Sequence, residues 1–235
     1  MSTKSEQGFG ARMQRSKELS NYIASFVDYN PPKAEDQATA FQELINQIEA
    51  ANTQAISTKE FYTMAVAQRQ KVFSENPDSL KAILSQLRPT LIAIYGKDSK
   101  ELKIISDVLR KIRGTKLVKA PKTLESPTQL SNSSISERSF GSLILYFKSI
   151  IVNLEQFENY SSFNPNLTIE GLNALLDALN NTSNQVSSTS LNLQNARKIR
   201  MDLYSELDKR SLRIRNYVLS KYGKSSVEYK AVRKL

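Results

Sequence analysis

Two stretches of this chain repeat one another, and the repetition limits how the chain can fold. Residues 41–73 align without a gap with residues 172–204, at a shift of 131 positions. The aligned pairs include Leu44 with Leu175, Ile48 with Leu179, Gln54 with Gln185, Ala65 with Ala196, Arg69 with Arg200 and Phe73 with Tyr204. A chain that repeats a helical segment is expected to fold into two similar bundles or one bundle with internal two-fold symmetry.

A second pair of matching segments, residues 95–103 and 222–230, aligns at a shift of 127 instead of 131. The second copy therefore lacks four residues, in the region of Asn76-Pro77-Asp78-Ser79 of the first copy. Four residues are about one helical turn. We therefore expect the second copy to continue as an unbroken helix where the first copy stops and restarts.

Apolar periodicity predicts that both copies are helical. Residues Phe41, Leu44, Ile45 and Ile48 recur at three- and four-residue steps, the mark of one buried stripe. Only 7 glycines and 7 prolines interrupt the 235 residues, which leaves room for long helices. The predicted fold is all-α, a tandem-duplicated antiparallel helical bundle. Its parts are a first helical repeat over residues 1–113, a linker rich in Ser, Pro and Lys over 114–138, and a second helical repeat over 139–235.

The length of the long helices is less constrained by the sequence. The first helix is predicted from about Gly10 to Val27, and Asn30-Pro31-Pro32 stops it. The next helix either continues for about 40 residues or folds back near Asn52, and the long helix of the second copy could likewise fold back near Asn184. The seven-residue step from Phe41 through Ile48 and Ala55 to Tyr62 favours continuation.

The absence of two residue types excludes many kinds of site. The chain has no cysteine and no histidine, so it has no thiolate nucleophile, no disulfide, no Cys/His metal site and no imidazole base. Its 40% hydrophobic and 24% charged residues are ordinary for a folded protein. Residues 1–20 lack the apolar core of a secretory signal, and no apolar run reaches bilayer length. We therefore predict a cytoplasmic protein that does not span a membrane.

The candidate catalytic motifs are better explained as structure. Gly223-Lys224-Ser225 resembles the end of a phosphate-binding P-loop, but that loop requires a glycine where this chain has Val218. A glycine helix cap followed by a solvated lysine explains it, and Gly96 of the first copy is predicted to end a helix in the same way. Two groups of carboxylates, Glu155 with Glu158 and Asp202 with Glu206 and Asp208, have no histidine to complete a helical di-metal site. Salt bridges at i,i+4 to Lys198 and Arg210 explain the second group. We predict no catalytic, metal or cofactor site.

Arg69 and Arg200 occupy the same position in the two copies. They could form an anion site, or they could be partly buried structural arginines tied to a carboxylate or a helix end. The structural interpretation is favoured.

The net charge of +10 is unevenly distributed. The segment 197–235 contains twelve basic residues and four acidic ones, and 103–122 contains seven basic residues and Asp107. A polyanion would bind to such a basic face through its phosphates. The candidate polyanion-binding residues are Arg197, Lys198, Arg210, Arg213, Lys221 and Lys224. The alternative is an ordinary solvated helix face.

Three further features carry a resemblance to known proteins. They are the ending Tyr-Gly-Lys-Ser-Ser-x-Glu-Tyr-Lys at residues 222–230, the tandem Asn-Pro turns and the polar middle of the Gln-Ala-Asn type. In these features the chain resembles a group of helical proteins of Bacteroidota such as flavobacteria. That group has no established activity. The resemblance implies a cytoplasmic helical protein and identifies no site residues.

The leading functional hypothesis is a non-enzymatic helical scaffold or interaction protein that binds a protein partner through its bundle surfaces. The alternative is sequence-nonspecific binding of nucleic acid or a ribonucleoprotein through the basic C-terminal segment. Self-association is a third possibility, with no specific residue to support it. No small-molecule substrate and no membrane partner is indicated.

Overall fold

The computed structural model describes residues 4–113 and 139–235, and these residues form helices and no strand. The predicted all-α helical bundle is confirmed. The helices are α1 (Lys4–Ser25), α2 (Ala38–Gln70), α3 (Leu80–Tyr95), α4 (Lys100–Arg113), α5 (Phe140–Gln156), α6 (Ile169–Tyr222) and α7 (Val227–Val232). Short 3-10 turns, Ala34–Asp36 and Pro165–Leu167, precede α2 and α6, and one π turn, Lys71–Glu75, follows α2.

The chain divides into two compact units. The terminal unit consists of Met1–Tyr62 and Thr189–Leu235, and the middle unit consists of Thr63–Ser188. Each unit therefore contains residues from both predicted repeats, 1–113 and 139–235. The predicted linker at 114–138 lies outside the described residues.

The long helices do not fold back. Helix α2 runs through Asn52 without a break, and α6 runs through Asn184 over 54 residues. The predicted difference between the two aligned segments is also observed. After α2 and the π turn the helix ends at Asn76, and α3 begins at Leu80. Ser79 caps the start of α3, because its Oγ accepts a hydrogen bond from the backbone N–H of Ala82 at 3.4 Å. Helix α6 has no such interruption.

The first helix begins earlier than predicted, at Lys4 instead of Gly10, and ends at Ser25, two residues before the predicted Val27. Glycines at positions 8 and 10 lie inside it, where an added Cβ would meet nothing within 4 Å. Glycine lowers helix propensity by only about 1 kcal/mol, so neighbouring residues can maintain the helix through both positions.

Two glycines end helices as predicted. Gly96 follows α3 with φ of 89°, and Gly223 follows α6 with φ of 86°. The backbone N–H of Gly96 donates to the Ile92 carbonyl at 2.9 Å, and that of Gly223 donates to the Leu219 carbonyl at 3.0 Å. At Gly96 ψ is 165°, a backbone conformation that is essentially restricted to glycine. Both termini therefore require glycine.

Each unit has its own apolar core. In the terminal unit, buried side chains from α1, α2, α6 and α7 form a cluster: Leu19, Ile23, Phe41, Leu44, Ile45, Ile48, Tyr204, Leu207, Ile214, Val218 and Val232. In the middle unit, the largest fully buried side chains include Leu87, Leu91, Ile105 and Phe147. The predicted stripe Phe41, Leu44, Ile45 and Ile48 is thus entirely buried.

The turn before each 3-10 segment is built in the same way in both units. Asp28 and Asn159 have positive φ values of 58° and 61°, a conformation in which Asn and Asp are enriched. The next residue in each case is a tyrosine. The Tyr29 hydroxyl donates to the Asp36 carbonyl at 2.9 Å, and the Tyr160 hydroxyl donates to the Leu167 carbonyl at 2.6 Å. Each tyrosine closes its turn onto the following 3-10 segment.

A second contact also occurs once in each unit. In the terminal unit, Tyr222 packs edge-on against Phe26 at 5.7 Å between ring centroids, and its hydroxyl donates to the Val27 carbonyl at 2.8 Å. In the middle unit, Tyr95 packs edge-on against Phe157 at 6.0 Å, and its hydroxyl donates to the carbonyl of the next residue, Glu158, at 2.9 Å. These tyrosines are the residues that precede the two helix-ending glycines.

Across the described residues, no helix has both the length and the apolar character needed to cross a lipid bilayer.

Candidate functional site

The structure divides the six predicted polyanion-binding residues into two groups. Arg213 belongs to the first group, which is used inside the terminal unit. Its Nε and one terminal nitrogen donate to the two carboxylate oxygens of Asp36, at 2.8 and 2.7 Å. The same terminal nitrogen lies 2.6 Å from Glu35 Oε1. The Asp36 side chain is only 5% exposed, so Arg213 neutralises a buried carboxylate, and this hydrogen bond raises the pKa of Arg213.

Arg210 and Lys221 also contact groups of the terminal unit. Arg210 Nε donates to Glu206 Oε1 at 2.9 Å, and a terminal nitrogen donates to the Glu35 carbonyl at 3.0 Å. This hydrogen bond from Arg210 lowers the pKa of Glu206. Lys221 Nζ donates to the Asp28 carbonyl. Together with Arg213, these side chains are held by acidic or carbonyl oxygens, which reduces the positive charge that they offer to a ligand.

The second group consists of Arg197, Lys198 and Lys224, which are exposed. Arg197 and Lys198 lie on α6, and Lys224 follows the glycine that ends that helix. These residues match the expectation of a solvated basic face. They remain accessible for a polyanion, and Lys221 of the first group is exposed as well.

The predicted carboxylate group Asp202, Glu206 and Asp208 does not form one cluster of acids. Glu206 pairs with Arg210, as the i,i+4 spacing predicts, and Asp208 pairs with Arg12 of α1 at 2.5 Å. Each of these two carboxylates therefore has a positively charged neighbour.

Arg69 and Arg200 lie over aromatic rings. The guanidinium carbon of Arg69 is 3.9 Å from the ring centroid of Phe140, and that of Arg200 is 4.5 Å from the ring centroid of Phe9. The same rings contact a second aromatic side chain, because Phe140 packs on Phe73 at 4.7 Å and Phe9 on Tyr204 at 4.5 Å. Both arginines are half-buried. The prediction of a carboxylate or a helix end as their partner was therefore incomplete, because an aromatic face is the contact that the two arginines share.

The middle unit has an apolar groove with a volume of about 810 Å³. Helices α3, α4 and α5 and the π turn after α2 supply its walls. Its apolar lining residues are Phe73, Leu80, Leu84, Leu109, Ile112, Phe140 and Leu143. Leu80, Leu84 and Leu109 are buried core residues at helical spacing, and nothing in that spacing indicates a groove beside them.

The polar lining of the groove is neutral or basic. It consists of Gln70, Ser74, Lys81, Ser85 and Arg113, so no carboxylate is among the described residues that line the groove. Arg69, which covers the outer face of Phe140, adds another positive charge close to this lining. An apolar surface with basic residues favours a ligand with an apolar face and acidic side chains.

No protein-family model, curated protein or solved structure matches this chain. Its function is therefore inferred from the geometry and chemistry of the two units.

Proposed function

We propose that this protein is a non-enzymatic interaction protein whose apolar groove in the middle unit binds an amphipathic helical segment of a partner protein, one that carries acidic side chains. The observation that supports this proposal is the groove itself, with seven apolar and two basic residues among its lining and no acidic one among those described.

The shape and chemistry of the groove suit a helix. Amphipathic helices bind apolar grooves through side chains spaced at i, i+3, i+4 and i+7, and the groove lies along helices that can pack against such a segment. Phe140 and Leu143 are half-buried and lie on one face of α5, so a bound apolar side chain would cover them further.

The charge of the groove selects among amphipathic partners. Lys81 is an exposed lining residue on α3, and Arg113 is the last residue of α4. Acidic side chains beside the apolar face of the partner would meet Lys81, whereas basic side chains would be repelled by it. The proposal therefore excludes a basic amphipathic helix as the preferred ligand.

The test is a selection of helical peptides from a displayed library on the full-length protein, followed by fluorescence anisotropy with the selected peptides. We expect peptides with an apolar stripe and flanking Asp or Glu. Leu143→Glu should weaken their binding at least about tenfold, because it places a carboxylate in the groove. Leu145→Glu, on the same helix but 67% exposed, is the matched control and should leave binding unchanged.

A second pair of variants tests the charge preference. Lys81→Glu should weaken acidic peptides and leave neutral ones unchanged, while Lys148→Glu, an exposed lysine of α5, should affect neither. Selection of basic peptides, or equal binding by folded Leu143→Glu protein, would overturn the proposal.

Nucleic-acid binding is the second candidate, and the exposure of Arg197, Lys198 and Lys224 favours it. It ranks below the groove because Arg210, Arg213 and Lys221 are already held by oxygens of the terminal unit. Retention on RNA or heparin should fall steeply with salt. It should also be reduced by glutamine at positions 197, 198 and 224, and an absence of retention at low salt would eliminate this candidate.

We also propose that residues 1–113 and 139–235 arose from duplication of one helical module. The turn tyrosines, the tyrosine–phenylalanine pairs and the arginine–phenylalanine pairs all recur at the spacing of the sequence alignment, which supports this proposal. Recombination provides a test. Replacing residues 26–36 by the aligned residues 157–167 should give a folded protein, and global unfolding of that chimera would contradict the proposal.

A further inference from the structure

A small cleft of the terminal unit contains three arginines. Arg12 and Arg15 of α1 and Arg215 of α6 line one cavity of about 250 Å³. The rest of its lining consists of Ser16, Leu19, Asp208, Ser211 and Leu235. Asp208 has the single carboxylate side chain among these residues. Because the side chains of this lining carry three positive charges and one negative charge, their net charge is positive.

Arg12 is held in a fixed position by its surroundings. One terminal nitrogen donates to Asp208 Oδ2 at 2.5 Å and to the Tyr204 carbonyl at 2.9 Å. Its guanidinium carbon also lies 4.8 Å from the Tyr204 ring centroid. The carboxylate of Asp208 is therefore already engaged by this arginine and orients it beside the cleft.

The other two arginines lack a carboxylate side chain as partner. Within the described residues, Arg15 and Arg215 form no ion pair, and the one hydrogen bond of the Arg215 side chain runs from Nε to the Ser211 carbonyl at 3.2 Å. Arg215 is half-buried, where the repulsion of a like charge is screened less than in water. By contrast, Arg210 and Arg213 of the same helix both have carboxylates. The cleft therefore has positive charge that no described side chain balances.

We propose that this cleft binds a dianionic phosphate group, either inorganic phosphate or the phosphate monoester of a small molecule. Guanidinium groups match phosphate oxygens with paired N–H donors, and Arg15 and Arg215 have such donors available. The Ser211 hydroxyl can donate a further hydrogen bond to the same ligand. The cleft volume is below the roughly 300–1,000 Å³ of common small-molecule sites, which suits a compact anion.

The aligned positions of the middle unit provide an internal control. At shifts of 131 and 127, Arg12 corresponds to Leu143, Ser211 to Leu84 and Arg215 to Arg88. Arg88 is exposed and does not line the apolar groove. Arg88→Gln therefore serves as a control, because it removes an arginine at the position aligned with Arg215 but outside the arginine cleft.

The experiment is isothermal titration calorimetry of the full-length protein with inorganic phosphate, with glucose 6-phosphate and with an oligonucleotide that has no terminal phosphate, at constant ionic strength. We expect a Kd of about 1 mM or lower for at least one of the two monoester-type dianions. Arg15→Gln and Arg215→Gln should each weaken this binding at least about tenfold, because each removes charge-assisted hydrogen bonds. Arg88→Gln should bind as the unsubstituted protein does.

Circular dichroism establishes that each variant remains helical, so that a loss of binding is not a loss of fold. The proposal is overturned if neither dianion binds, if only the oligonucleotide binds, or if Arg88→Gln weakens binding as much as Arg215→Gln. Because the cleft and the apolar groove lie in different units, failure of this experiment leaves the peptide selection unaffected.

Discussion

The terminal and middle units share a set of contacts, namely the turn tyrosines, the tyrosine–phenylalanine pairs and the arginine–phenylalanine pairs. They differ in the polarity of other aligned residues. At one place the terminal unit has the buried ion pair Asp36–Arg213, and the aligned residues of the middle unit are Leu167, which is 2% exposed, and Gln86. At another, Ser16 of the terminal unit aligns with the fully buried Phe147.

These differences separate the contacts that define the architecture from those that define the surface chemistry. The turn tyrosines and the arginine–phenylalanine pairs are present in both units, so they belong to the architecture that the two units share. The residues around the cavities are not shared. They give an apolar groove in one unit and an arginine cleft in the other. Four experiments test this comparison.

Phe147→Ala should have the greatest effect on stability. This side chain is fully buried in the middle unit, and its removal should cost about 3–5 kcal/mol of unfolding free energy, since it leaves a cavity. Ser16→Ala at the aligned position should cost about 1 kcal/mol, because it removes only the hydrogen bond from Ser16 Oγ to the Arg12 carbonyl. Urea denaturation measures both, and hydrogen exchange shows which unit is affected. Equal loss of protection in both units after Phe147→Ala would show that they unfold together.

The next effect concerns the ion pair that the middle unit lacks. Arg213→Gln should destabilise the protein by about 2 kcal/mol, because it leaves the Asp36 carboxylate buried without its bidentate partner. The double variant Asp36→Leu with Arg213→Gln reproduces the middle-unit residues and should recover stability to within about 1 kcal/mol of the unsubstituted protein. The measurement is again urea denaturation. A double variant as unstable as Arg213→Gln alone would show that the two units do not tolerate the same residues here.

The arginine–aromatic pairs should give smaller and similar effects in both units. Arg69→Met and Arg200→Met each keep an unbranched side chain but remove the positive charge from above the Phe140 and Phe9 rings. We expect a loss of about 1–2 kcal/mol for each, measured by thermal unfolding. Lys198→Met, at an exposed position of α6, should change stability by less than about 0.5 kcal/mol. A large effect in only one unit would show that the arginine–aromatic contact does not stabilise both units in the same way.

The weakest effect is a pH dependence. Burial raises the pKa of Tyr160 to about 12, and burial together with Asp36 raises the pKa of Tyr29 further. A tyrosine whose pKa is higher in the folded than in the unfolded state stabilises the fold below pH 10, and this contribution is lost as the pH rises from about 10 to about 12. Tyr160→Phe should therefore reduce the alkaline loss of stability by about 1 kcal/mol relative to the unsubstituted protein, measured by urea denaturation at several pH values. Tyr29→Phe should act in the same direction, and an unchanged pH dependence in both variants would contradict the shared role of the tyrosines.

The local features were predictable from the sequence. Apolar spacing predicted the buried stripe of α2, Gly96 and Gly223 predicted the ends of α3 and α6, and the four-residue difference between the copies predicted the unbroken α6. These features depend on residues within a few positions of one another, where backbone preferences and helical periodicity apply directly.

The contacts between distant segments could not be predicted in the same way. Asp36 and Arg213 are 177 residues apart, and no periodicity connects them. One signal was available: extending the shift of 131 towards the N-terminus pairs Phe9 with Phe140 and Tyr29 with Tyr160. The groove and the cleft have no such signal, because a cavity depends on how side chains from several helices fill the space between them.

The way the two units divide the chain sets an order of events during biosynthesis. The middle unit has its complete set of residues once Ser188 has left the ribosome, since it is continuous in sequence. The terminal unit must wait for Thr189–Leu235, so Leu19, Ile23 and Phe41 lack their later-made core partners while most of the chain is being translated. During that interval these early-made apolar side chains are not covered by their core partners, and uncovered apolar surface is what chaperones bind.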